Sequence, residues 1–377
     1  MPSYDFIVIG AGIAGASAAW ALQAHGRTLL VEREPLPGQH TTGRSAAFLV
    51  DSYAGPVVGR LTRAGRAFFE SPPEGFTEAP LVTPNAVLWI GRADQRASID
   101  RALATGREAG AVLHEVDVEE ALAICPILRR DYVAHAVTEP SAMHIDVAGL
   151  LESFLRAFRR RGGTLETKAE TTRIERSGED WAVEAGGRTW HAPVVVNAAG
   201  AWCDVVARLA GVRPIGLRPL RRTAITFDGP AGADARHWPL VLDADEDFYF
   251  KPEGARLLAS PCDETPFDPC DVHPDDYDVA LVADRVQRAT TLEIRHIHRR
   301  WAGLRSFVAD RSPVIGFDAE QPGFFWLAGQ GGFGIMTSPA AARAVAGLVV
   351  EAALPAGIAA TGLTAEMLSP ERLDRPD

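Results

Sequence analysis

Gly10, Gly12 and Gly15 sit where an apolar run, Phe6-Ile7-Val8-Ile9, gives way to a segment rich in Ala, Leu and Trp from Ala16 to His25. In a strand–turn–helix unit such glycines serve a tight turn, close approach of backbone to a pyrophosphate, and close helix–strand contact. The amides around Ala11 and Ile13, at the positive end of the helix, suit two phosphates. A second apolar run, Thr28-Leu29-Leu30-Val31, ends at Glu32 and Arg33. A carboxylate there can accept hydrogen bonds from a ribose, and its charge disfavours a 2′-phosphate. The plainer alternative is a glycine turn without a ligand and a free surface acid.

Two arginines and a tyrosine stand in unusual settings. Arg305 lies within Trp301-Ala302-Gly303-Leu304-Arg305-Ser306-Phe307, where a charge needs a partner. Arg222 opens an alternating stretch to Phe227, although Arg221 adjoins it and a surface role is equally open. Tyr249, between Phe248 and Phe250 on a second alternating stretch, faces away from both and into a cavity. Guanidinium groups match carboxylates because two donors meet two oxygens. His40, His296 and His298 lack metal-ligand spacing, so surface or packing roles and no metal are expected. Asp146 reads as the N-cap of the helical run that follows it, and Ser338-Pro339 as the cap and first turn of another.

These residues need a scaffold. The length of 377 residues, 47% hydrophobic and 23% charged, excludes a mainly disordered chain and allows two domains. The 38 Lys and Arg against 49 Asp and Glu, a net charge of −11, disfavour broad contact with nucleic acid. Cys125, Cys203, Cys262 and Cys270 form no CxxC pair, so a reducing, cytoplasmic setting is expected. No basic segment precedes the first apolar run, and no uncharged apolar stretch reaches about 18 residues; neither signal peptide nor transmembrane segment is expected. Helices are predicted near Ile99–Ala109 and Val116–Ile124, and strands at Arg222–Phe227 and Asp247–Lys251. Asp228–Arg236 and Pro261–Asp276 read as surface loops. Glycine landmarks recur after Val194-Val195-Val196, at Asn197-Ala198-Ala199-Gly200-Ala201-Trp202, and after Phe324–Leu327, at Gly329–Gly334. The fold class is α/β: a discontinuous Rossmann-like nucleotide domain (1–49, 141–215 and 301–377) and an α+β substrate domain with an antiparallel sheet (50–140 and 216–300).

With Thr42-Gly43-Arg44-Ser45-Ala46-Ala47, Leu128-Arg129-Arg130-Asp131, the 197–204 and 301–307 segments and Gln330-Gly331-Gly332, the chain resembles the D-amino-acid oxidase-like superfamily of FAD-dependent oxidoreductases. The likeness runs from Asp5 to about Leu373, and is greatest to the D-arginine dehydrogenases. It implies noncovalent FAD and oxidation of an amine next to a carboxylate. By resemblance, Thr42 to Ala47 run beside the cofactor, with Arg44 and Ser45 as donors. Thr172 lies on an adenine-reading strand, and Ala199 and Gly200 let the dinucleotide approach. Gly303, Gly331, Gly332, Phe333, Gly334, Ile335, Met336 and Thr337 face the flavin, and Trp202 suits either its shell or the core. Arg222, Arg305, Tyr249 and Tyr53 match carboxylate-binding positions.

The departures concern the side-chain pocket. Phe48, Val87, Leu240 and Met336 replace a histidine, the guanidinium-binding glutamate, a methionine and a glutamine. The implied reaction converts a neutral or apolar D-amino acid to its imino acid, then to a 2-oxo acid and ammonia. Glu74, Glu78 or Asp243 are the acids that would restore a cationic substrate. A secondary amino acid such as sarcosine, or a 2-hydroxy acid, is the alternative. Related sarcosine oxidases keep a lysine beside the flavin for oxygen reduction. The comparable strand here, Arg256–Ser260, has none, and Lys251 stands on the preceding one. A quinone-like or artificial acceptor is therefore expected, with a monomer, or weak self-association, as the state of the protein.

Overall fold

In the computed structural model, residues 4–230, 232 and 234–374 are described. The expected loop from Asp228 to Arg236 lies partly outside them.

The apolar runs with no alternation become strands buried on both faces. Phe6–Ile9, Thr28–Val31, Val194–Asn197 and Phe324–Ala328 form the centre of a six-stranded sheet in the order 314–317, 324–328, 194–197, 6–9, 28–31, 164–166. All neighbours are parallel except the edge strand Val314–Phe317. Such a sheet must be covered on both sides. Helices Ile13–Leu22, Val147–Arg160 and Gly334–Ala346 pack on one face. A three-stranded antiparallel meander, Thr171–Ser177, Asp180–Ala185 and Arg188–Ala192, adds Trp181 and Trp190 to the core of the other.

The second large sheet is mixed and mostly antiparallel. Its backbone is the pairing of Arg218–Asp228 with Ile297–Phe307 and with Arg256–Ser260, continued through Tyr249–Glu253, Leu240–Asp243, Val87–Gly91 and His135–Glu139. One face packs against helix Asp276–Ala289, which sequence reading left as no element. The opposite face carries Val87, Trp89, Leu240, Leu242 and Tyr249 toward the nucleotide sheet. The expected boundary at 301 falls inside the strand Ile297–Phe307, which bridges the two regions.

Asp146 caps its helix as expected, accepting the Gly149 amide at 2.9 Å. Ser338 and Pro339 differ from expectation. Their helix begins at Gly334 with Phe333 as N-cap, so both lie inside it. Proline has no N–H to offer the carbonyl four residues back. That carbonyl, of Ile335, is taken at 2.9 Å by the Ser338 hydroxyl, which makes the pair a local repair of the helix.

Candidate active site

Between the two sheets lies a cleft with a cavity of about 310 Å³. At its nucleotide end the walls are backbone. Gly10 has φ of +99°, and a side chain there would place Cβ 2.6 Å from the Ala198 carbonyl oxygen. At Gly15 a Cβ would collide with the Gly10 carbonyl, and at Gly12 it would press on the Thr42 hydroxyl at 3.2 Å. The Ile13 amide donates to that hydroxyl at 3.0 Å, so the 42–44 turn is tied to the helix start. Glu32 is nearly buried; its oxygens accept the Ala11 amide at 2.7 Å and the Glu34 amide at 2.9 Å.

Gly10, Gly12, Ile13, Glu32, Arg33, Thr42, Arg44, Ser45, Ala46, Ala47, Ala199, Gly200, Trp202, Gly303 and 331–336 line the cleft. Ala11, Gly15, Gly43 and Thr337 shape it from behind. Gly43 has no room for a Cβ, which would lie 2.7 Å from the Gly38 carbonyl oxygen. The Thr337 hydroxyl is buried on the Phe333 carbonyl.

Two expectations need correction here. Thr172 is exposed and turns its hydroxyl toward Glu184; a register shift puts Thr171 on the cleft with Ala169 and Glu170. The Thr171 hydroxyl is buried without a hydrogen-bond partner among the described residues. Arg44 spends its Nη groups on the Val272 and Ala302 carbonyls and on Asp271, so its guanidinium anchors the 261–276 loop. His40, expected in a surface or packing role, packs against the Trp202 ring, pairs with Glu34 at 2.9 Å and also lines the cleft. Arg33 covers the same indole, 5.0 Å from its centre. Alternation cannot reveal a histidine on an irregular loop, and only its nearness to Thr42 in sequence hinted at the cleft. The glycine cradle, the paired Glu32 and the unpartnered Thr171 hydroxyl fit a dinucleotide such as FAD.

At the other end the walls are side chains. Arg222 pairs with Gly303 and Leu220 with Arg305 across antiparallel strands, so both arginines point from one face, diagonal neighbours about 7–8 Å apart. The same pleat sends Arg221 to the opposite face, where Asp278 and Asp263 hold it at 2.5 and 3.4 Å. Arg222 gives Nε to the Asp263 carbonyl at 3.0 Å and one Nη to Glu264 at 3.2 Å. Arg305 is 8% exposed, lies over the Phe307 and Phe333 rings, and has no hydrogen bond or ion pair among the described residues. It fits because Gly332 has no side chain: a Cβ there would strike the guanidinium.

Tyr249 joins them from the strand Tyr249–Glu253, between Leu242 and Ser260. Burial pushes its phenol up to about 12, with nearby Arg222 and Arg305 pulling the other way. Tyr53 reaches the cleft from the 50–55 segment, stacks edgewise on Phe333, and donates to Glu246 at 3.2 Å. Burial raises its pKa too. Phe48, Val50, Leu240, Leu242 and Met336 supply apolar wall. Val87 is fully buried beside Leu240 and takes no part in the cleft surface.

The acids expected to restore a cationic pocket stand elsewhere. Glu74 is exposed and outside the cleft, as is Glu78, which pairs with Arg156. Asp243 is held by Gln95 and Tyr132 outside the cleft. Lys251 pairs in register with Leu258, buried on the cleft side of the sheet and held by Glu253. Burial lowers its pKa, and it lies over the Phe48 ring, 5.7 Å from the centre, without reaching the cleft.

A mainly parallel sheet with a glycine cradle, joined to a second sheet bearing buried arginines, suits an enzyme that holds a dinucleotide beside an anionic substrate. The chain belongs to the DAO family of FAD dependent oxidoreductases, whose pattern matches residues 5–348. It is 26% identical over 357 residues to human mitochondrial sarcosine dehydrogenase, covering 88% of this chain and 38% of that protein. The chain thus spans about two fifths of that relative's length. Among solved structures, L-proline dehydrogenase from P. horikoshii superposes with a TM-score of 0.85 at 20% identity, over 99% of this chain and 98% of that one. Glycine oxidase from Geobacillus kaustophilus gives 0.81 at 21%, over 93% and 95%. No helix among the described residues is long and apolar enough to cross a membrane.

Proposed function

We propose that the protein is a D-amino acid dehydrogenase that takes a neutral or apolar substrate and releases the imino acid, which hydrolyses to a 2-oxo acid and ammonia. The observation that carries this reading is the Arg305 guanidinium, nearly buried, unpaired, and beside Arg222 in an otherwise apolar cleft. An uncompensated buried charge is costly and is stabilised by an anionic occupant. Arg305 offers a free fork to a carboxylate, and Arg222, anchored by Glu264 and Asp263, offers its remaining Nη. Tyr249 and Tyr53 remain neutral at physiological pH; Tyr249 donates to the carboxylate, and Tyr53 does so by exchanging its hydrogen bond to Glu246 for one to the substrate. Fixing the carboxylate at several points orients the α carbon, which is the main contribution this chain makes to rate. Noncovalently bound FAD supplies the two-electron acceptor.

The side chain of the substrate then meets Phe48, Leu240, Leu242 and Met336, with no carboxylate on that wall. A guanidinium or ammonium placed against those side chains meets no carboxylate among the residues lining that wall; Glu246, outside the lining, accepts from the Tyr53 hydroxyl at 3.2 Å. The likeness to the D-arginine dehydrogenases thus covers the carboxylate end and not the cationic end. Phe48 screens Lys251 from the cleft, which favours a quinone-like acceptor over oxygen. The names of the relatives support a second reading, a secondary amino acid such as sarcosine or proline, for which the same arginines serve.

The test is anaerobic mixing of the flavoprotein with D- and L-amino acids, N-methyl amino acids and 2-hydroxy acids, followed by flavin bleaching. D-Leu, D-Met or D-Phe should exceed D-Arg and D-Lys in kcat/KM by roughly tenfold or more. A lead for D-Arg of that size overturns the apolar pocket. A lead for sarcosine or proline selects the second reading, and rapid reoxidation by air at the turnover rate overturns the dehydrogenase.

A further inference from the structure

Glu139 ends the strand His135–Glu139 and is completely buried, yet among the described residues no cation pairs with it. It is the cross-strand partner of Val87, so it points from the cleft-facing side of the sheet. Its two oxygens are used on consecutive backbone amides of another segment: Oε1 accepts from Asp51 at 2.8 Å and Oε2 from Ser52 at 3.1 Å. Those residues immediately precede Tyr53. The segment is held from a second side by Arg66 of helix Pro56–Glu70, which binds Asp51 at 2.8 Å. Two helix glycines let it come close: a Cβ on Gly59 would lie 3.2 Å from the Asp51 carbonyl oxygen, and one on Gly106 would lie 3.0 Å from Ser52 Cβ. Beyond Tyr53 the chain turns through Ala54 at φ +78°, a left-handed conformation that an alanine adopts only when its surroundings require it.

We infer that Glu139 is a positioning residue for substrate capture: its carboxylate fixes the backbone of Asp51 and Ser52 and thereby sets Tyr53 at the cleft. This rests on the reading that Tyr53 serves the substrate carboxylate. A carboxylate accepts both amides, whereas an amide side chain has one acceptor and would point its NH₂ at a second N–H. Loss of one acceptor leaves a buried donor unmet and frees the segment, while the nucleotide cradle lies elsewhere.

The test uses the flavin-loaded protein with its best substrate. Glu139→Gln should raise KM about tenfold, with kcat and flavin content little changed. In a Tyr53→Phe background the same substitution should change KM by less than about twofold, because the two residues act through one contact. Hydrogen exchange over 50–55 should quicken in Glu139→Gln, a readout that needs no turnover and separates failure of this inference from failure of the substrate assignment. Equal effects in both backgrounds, an unchanged KM, or unchanged exchange overturn the inference. A Tyr53→Phe variant with unaltered KM overturns it together with the role of Tyr53. If Glu139→Gln does not fold, Glu139→Asp, which keeps the charge and shortens the reach, takes its place with the same expected outcomes.

Discussion

At the nucleotide end of the cleft the contacts come from main chain, and most of the residues that allow them lie within the first fifty positions. At the substrate end they come from the side chains of Tyr53, Arg222, Tyr249 and Arg305, brought together by a sheet whose strands are scattered through the chain. The first end is fixed by the absence of side chains and tolerates no addition. The second depends on the chemistry of each side chain and tolerates retuning. The two ends should therefore fail differently when altered.

The largest effect is expected from Gly10→Val. A branched residue at φ +99° and 2.6 Å from the Ala198 carbonyl oxygen cannot be accommodated. The purified variant should contain no flavin, read from its absorbance, or not fold. Arg305→Ala should instead keep its flavin and lose roughly 10²- to 10⁴-fold in kcat/KM, the worth of two hydrogen bonds between charged groups. Arg222→Ala should lose less, roughly 10- to 150-fold, because part of its fork already serves Glu264 and Asp263. If either variant loses flavin in proportion to activity, the two ends are not separable.

Gly332→Ala sharpens the comparison, since this glycine sits on a cleft-lining loop but makes room for Arg305. It should behave as a substrate-end variant, losing about tenfold in kcat/KM through a displaced guanidinium while flavin stays bound. Tyr249→Phe should lose about 10- to 150-fold in kcat/KM, the worth of one hydrogen bond from a phenol to a charged carboxylate, while flavin stays bound. Its pH signature is more telling. The phenol, ordinarily near 10.0, is raised to about 12 in the folded protein. A raised value contributes stability that is full below the unfolded pKa and is lost as pH climbs through the folded one. Thermal unfolding should show the wild type losing stability relative to Tyr249→Phe between about pH 10 and 12, and equal slopes would contradict the buried neutral phenol.

What the sequence made legible follows the same division. Phe6–Ile9 and Thr28–Val31 were readable to the residue because continuous apolar runs bounded by glycine or an acid leave few alternatives. Tyr249 was readable as cavity-facing because alternation assigns a face, whereas Arg222, adjoined by Arg221, was placed at the site only by the resemblance. The resemblance placed both Val87 and Leu240 on the cleft wall; Leu240 is there with Leu242, and Val87 is buried on the neighbouring strand. Helix Asp276–Ala289 escaped notice because its polar first turn, capped by Asp275, looked like a continuing loop. Ser338 was misread because a serine before a proline has the same local appearance whether it starts a helix or mends one.

The fit between Gly332 and Arg305 also constrains how this site can change over generations. The guanidinium occupies space that a β-carbon would need, so the arginine serves a carboxylate fully only where 332 is glycine. Once the arginine is present, a larger residue at 332 displaces its guanidinium and is disfavoured for as long as carboxylate capture matters. Losing Arg305 first lifts that restriction, and a bulkier residue arriving at 332 then makes a returning arginine less effective. A change away from carboxylate substrates is therefore easily reversed after one substitution and harder to reverse after two.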